Sequence, residues 1–171
     1  LAYTLAHPAT SASMETMYDS SAERIGRDSG SDWKMFGFYI MNNISIGLRT
    51  FASGLLLGIG SLVVLLVNGV AIGTAAGHLT VTGNGGPFWE FVCGHAPLEL
   101  TAIVLSGGAG LQLGMRVLAP GRMHRVDALA VAGRDGAVIV LGVALMLLGA
   151  AFIEAFWSSQ VVIPVAVKYL F

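Results

Sequence analysis

Thr50–Trp89, TFASGLLLGIGSLVVLLVNGVAIGTAAGHLTVTGNGGPFW, is a run of 40 residues without one Asp, Glu, Lys or Arg. A helix crossing a bilayer needs about 20 mainly apolar residues, so this stretch alone can supply one span and part of a second. Its composition decides the class. Leu100–Met115 and Gly136–Ile153 are also uncharged and rich in Leu, Val, Ile and Gly. Across the chain 55% of the residues are hydrophobic and 11% charged, where a soluble domain carries about 25% charged residues. Too few charges remain to solvate a surface, and the expected fold is an all-α polytopic transmembrane helix bundle. A net charge of -1 excludes nucleic acid as a partner, because phosphate binding needs clustered Lys and Arg.

Outward from this run, Thr80–Pro87 (TVTGNGGP) is a turn-forming segment, and Phe88-Trp89 is an interfacial aromatic pair. Pro97 suits the first turn of a helix, which continues to Leu118 and ends at Pro120-Gly121. Upstream, Asn68-Gly69 is a plausible break between Thr50–Val67 and Val70–Leu79. Trp33, Phe36, Phe38 and Tyr39 mark a membrane entry. Only fourteen uncharged residues then separate Lys34 from Arg49, about 21 Å of helix at 1.5 Å per residue. The bundle is therefore expected to hold at least one short, tilted or broken helix.

Residues 1–32 form the only polar stretch of any length and read as an extramembrane segment, with one helical piece near Ser13–Ile25. Residues 33–171 form the transmembrane domain. The start, LAYTLAHPAT, shows no basic segment leading into an apolar core, so no signal peptide is expected there. Val161–Phe171, with Pro164 and Lys168, reads as an interfacial tail or the start of another span. Cys93 is the single cysteine and allows no intrachain disulfide. Its simplest reading is a small buried thiol.

Arg116, Arg122, Arg125 and Arg134 make the only basic connection. The positive-inside rule assigns it to the cytoplasm. By alternation, Arg49 lies inside, while the Gly83–Gly86 turn, the polar N-terminal segment and Trp157–Gln160 lie outside. Gly54 with Gly58, Gly69 with Gly73 and Gly77, and Gly110 with Gly114 have the small-xxx-small spacing that lets helices approach closely in lipid. Glycine-rich packing inside the bundle is expected, with a homo-oligomer seam as the other use of such stripes.

Ionisable groups at membrane depth cost about 2.5–3.5 kcal/mol on insertion scales, so Glu99 and Glu154 require a reason. Glu99 opens a helix entering from outside, and Glu154 lies one turn before the outer end of the next. His95 precedes Glu99 by four residues, on the same helix face if the helix starts early enough. Asn68 closes the preceding span at the same outer end. His95, Glu99 and Glu154 are thus candidate ligands for one divalent metal such as Zn, with Asn68 or water completing the shell. The alternative is a hydrogen-bonded cluster pinning helix ends, with Glu99 at its own helix N-terminus. Asn42 and Asn43 are amides inside an apolar stretch and should bond across helices or line a wet cleft. A metal-dependent membrane hydrolase lacks support, since no His-Glu-x-x-His occurs. No Gly-x-Ser-x-Gly is present either. A small-solute transporter would show repeated broken helices, and only Asn68-Gly69 hints at one.

Taken in order, Phe38-Tyr39-Ile40-Met41-Asn42-Asn43, Phe51-Ala52-Ser53-Gly54, Asn68-Gly69, Ile72-Gly73, Gly94-His95-Ala96-Pro97-Leu98-Glu99-Leu100-Thr101-Ala102, Ala109-Gly110-Leu111, Pro120-Gly121-Arg122, Ala128-Leu129 and Ile153-Glu154-Ala155-Phe156 resemble the stage II sporulation protein M family of bacterial membrane proteins. The resemblance runs from about Met17 to Tyr169. It implies a multi-pass protein of the bacterial cytoplasmic membrane and a non-enzymatic assembly or anchoring role. In spore formers it implies a scaffold for peptidoglycan-remodelling partners during engulfment. The expected partners are the lipid bilayer and envelope proteins. The metal-dependent hydrolase and the transporter stand as the alternative function.

Overall fold

The computed structural model describes residues 8–19, 21, 23–27 and 31–170. Among these the chain is helical and contains no strand. One isolated antiparallel bridge joins Arg24 to Gln160. The helices are α1 (Pro8–Met17), α2 (Asp32–Ala52), α3 (Ile59–Val81), α4 (Gly85–Val92), α5 (Ala96–Leu118), α6 (Arg125–Ile153) and α7 (Val165–Leu170). A 3-10 turn at Ser53–Leu55 follows α2, and a π turn at Glu154–Ser158 extends α6. Three helices are long and apolar enough to cross a membrane: α3, α5, and α6 with its π turn. α2 has 21 residues, about 31 Å of helix. It carries Asp32, Lys34, Arg49 and two asparagines along that length.

Four expectations are corrected. α2 is not short, because it winds without interruption through Asn42-Asn43 for 21 residues. Asn68-Gly69 does not break the chain: α3 passes through it, and the interruption lies between α2 and α3. There Leu57 and Gly58 have positive φ, 57° and 82°, a backbone region where glycine carries no Cβ penalty. The N-terminal helical piece begins earlier and ends earlier than Ser13–Ile25, at Pro8 and Met17. The basic connection shrinks to residues 119–124, since Arg116 closes α5 and Arg134 lies within α6.

The chain divides into two compact units. One comprises Met41–Leu66 and Leu98–Gly149. Its buried centre is Ala102, Ile103, Val143 and Leu147, with Ile44, Ile46, Leu65 and Met146 packed around it. Glycine brings backbones together here. A Cβ on Gly54 would overlap the Gly110 carbonyl, and one on Gly114 would overlap the Gly58 backbone. The Ser106 hydroxyl donates to the Gly47 carbonyl at 2.6 Å, and the Ser61 hydroxyl to the Thr50 carbonyl at 2.7 Å. Such bonds satisfy buried polar groups where helices touch.

The other unit comprises the described residues within Leu1–Ile40, Val67–Pro97 and Ala150–Phe171. Ile25, Met35, Tyr39, Phe91, Ala151 and Ala155 form its core. Phe36, Phe152 and Phe156 pack against one another in edge-on and tilted pairs, and Trp33 packs edge-on against Phe156. α1 is tied to the end of α3 by His78 Nε2 and Glu15 Oε1, 2.8 Å apart. The stripe of Gly69, Gly73 and Gly77 does not pack inside the bundle as expected: none has anything within 4 Å of an added Cβ.

Candidate metal centre

α4 stops at Val92, and a three-residue turn delivers His95 immediately before α5. Phe91 holds the imidazole edge-on, with ring centroids 5.1 Å apart. Pro97 falls in the first turn of α5, where a residue without an N–H removes no helical bond. Glu99 stands in that same turn, near the positive end of the helix dipole. Glu154 opens the π turn at the end of α6.

His95 is 5% and Glu154 8% exposed. The His95 Nε2 lies 3.9 Å from Glu154 Oε1. One ligand atom from each of His95, Glu99 and Glu154 lies within 4.8 Å of the others. At ligand distances of about 2.0–2.2 Å, a tetrahedral ion holds its donors roughly 3.4 Å apart, so side-chain movements of about 1 Å would close the three into a shell. The other imidazole nitrogen is engaged: Nδ1 is 3.0 Å from the Ser158 hydroxyl. Burial lowers the His95 pKa, which keeps the ring neutral, the form a metal ligand requires.

The three asparagines lie in the interiors of α2 and α3. Asn68 is half-buried in the interior of α3, not at a helix end. Asn42 Nδ2 donates to Asn43 Oδ1 at 2.9 Å, a bond between neighbours on α2. Asn43 is 2% exposed.

Several neighbours were not singled out from the sequence. Tyr18, just beyond α1, packs edge-on against Phe88 and Phe91. Burial raises its phenol pKa, and the Glu154 carboxylate raises it further. Lys168, expected in an interfacial tail, is 1% exposed. Its Nζ donates to the Ser158 carbonyl at 3.2 Å and lies 3.7 Å from Glu90 Oε2. The Cys93 thiol donates to the Lys168 carbonyl at 3.4 Å. A signal for Lys168 was present, since a lone cation in an apolar run is as costly as a lone carboxylate.

A model of the family described as Stage II sporulation protein M matches residues 1–159. No curated protein and no solved structure matches the chain. With apolar helices long enough to cross a membrane and a family match over most of its length, the chain belongs to the stage II sporulation protein M family as a membrane protein.

Proposed function

We propose that the protein is a non-enzymatic, multi-pass assembly or anchoring element of the bacterial cytoplasmic membrane, with a divalent cation held by His95, Glu99 and Glu154. The carrying observation is the convergence of one neutral imidazole and two carboxylates in a largely buried cluster. Two carboxylates crowded together away from water repel each other, and a divalent ion removes that repulsion while joining three segments of chain. Such a joint stabilises a scaffold and needs no reaction. Residues 1–32 are the segment outside the bilayer, where envelope proteins that remodel peptidoglycan are the partners.

The test is metal analysis of protein purified in detergent, alongside Glu99→Gln and Glu154→Gln. Wild type carries one divalent ion per chain, and each variant loses stoichiometric metal and melts earlier. Metal-free wild type whose Gln variants melt unchanged would reduce the cluster to hydrogen bonding. Cross-linking in native membranes tests the anchoring role, which requires recovery of peptidoglycan-remodelling proteins with the chain.

A further inference from the structure

The last turn of α6 is not α-helical. Glu154–Ser158 wind as a π turn, a single wide turn that is frequent at functional sites. Widening the turn brings side chains four residues apart nearly into line. The result is that Glu154 and Ser158 address the same imidazole, one at each nitrogen: Oε1 3.9 Å from Nε2, and Oγ 3.0 Å from Nδ1.

A helix end leaves carbonyls without intrahelical partners, and here side chains meet them. The Arg27 guanidinium donates to the Ala155 carbonyl at 3.3 Å, and the Ser159 hydroxyl donates to the same oxygen at 2.9 Å. The Ser158 carbonyl receives the Lys168 ammonium at 3.2 Å. Lys168 and Ser158 are each 1% exposed. The negative end of a helix dipole favours such a cation, and Glu90 balances its charge. The six-residue helix α7 is thereby fixed to the residue that bonds His95.

We infer that Lys168 is a positioning residue for the metal centre: by holding the Ser158 carbonyl it fixes the Ser158 hydroxyl on His95 Nδ1, and so leaves Nε2 to face the ion. The inference rests on the metal reading above. A ligating imidazole is commonly oriented by a bond at its other nitrogen, and loss of that partner costs about 10- to 100-fold in metal affinity. The C-terminal helix thus controls occupancy of a centre to which it contributes no ligand.

The experiment uses the full chain in detergent, with Zn2+ titrated against a competing chelator and the His95 ring nitrogens followed by 15N NMR. Wild type takes one Zn2+ on Nε2 with Nδ1 protonated. Lys168→Met and Ser158→Ala still bind one Zn2+, but about 10- to 100-fold more weakly, and Ser158→Ala loses the single ring tautomer of the metal-free protein. If Lys168→Met fails to fold because Glu90 is stranded, Glu90→Gln with Lys168→Met removes both charges and is expected to show the same weakening. Wild-type affinity in the lysine and serine variants, with binding abolished in Glu154→Gln, would overturn the positioning role and leave the metal site standing. A wild-type chain that takes no Zn2+ would overturn both.

Discussion

Where two helix backbones touch, a single methyl group decides whether they can. Gly110 packs against Ser61 Oγ and the carbonyls of Thr50 and Phe51, while Gly73 has open space where its Cβ would be. Gly110→Ala is therefore expected to destabilise the protein by about 1–3 kcal/mol through overpacking. Gly73→Ala should change stability by no more than about 0.5 kcal/mol. Unfolding midpoints in detergent compare the two, and equal effects would mean the packing assignment is wrong. Spacing alone did not separate these residues, because all three stripes share one pattern and only the tertiary fold selects a partner for each. The carboxylates were easier to read. Glu99 and Glu154 stand out as lone charges in apolar runs, and His95 lies four residues before Glu99, in the turn that leads into α5. Ser158 and Tyr18 gave no such signal, since neither residue type is costly or unusual where it occurs in the sequence. Their role comes from the π turn and from the chain beyond α1, neither of which has a readable period.

At the scale of elements, apolar length located the spans but not their boundaries. Within the charge-free run Thr50–Trp89, Asn68-Gly69 is the dipeptide that marks turns. In lipid an unbroken helix satisfies its own backbone, and α3 carries both residues inside it. The division falls instead at Ser53–Gly58, a sequence of one Ser, two Gly and three Leu that resembles its helical surroundings. What ends the helix there is the positive φ of Leu57 and Gly58. An L-residue in that region costs about 1–2 kcal/mol, and a Cβ on Gly58 would also press on Leu111 Cδ2 at 3.3 Å. Gly58→Ala is thus expected to lower stability by about 1–2 kcal/mol. An unchanged melting temperature would show that the turn tolerates another backbone conformation. The same reasoning explains α2. Its polar residues made it look short, yet 21 residues remain helical because Asn42 and Asn43 bond to each other and Asn43 is buried in protein.

For the whole molecule the remaining question is orientation, and charge decides it. Arg122 and Arg125 lie in or beside the short connection between α5 and α6, Arg116 closes α5, and Arg134 lies nine residues into α6. Basic residues within about 15–20 residues of the ends of spans are retained on the cytoplasmic side, so the two ends that meet here are expected inside. The shortening of this connection from the expected Arg116–Arg134 loop moves Arg134 into a helix without taking it beyond that range. One span separates this connection from the Gly83–Gly86 turn, because α5 is a single continuous helix long and apolar enough to cross. The turn is then expected outside. In a Cys93→Ser background, a cysteine at Gly86, which is exposed and has nothing within 4 Å of an added Cβ, should react with a membrane-impermeant thiol reagent added to intact cells. A cysteine at Arg122 should react only after the membrane is opened. The reverse pattern would invert the orientation and move His95, three residues beyond α4, to the cytoplasmic side, where an envelope partner could not reach it. Labelling of both sites from outside would mean that α5 does not cross the bilayer, and the assignment of spans would fall with it.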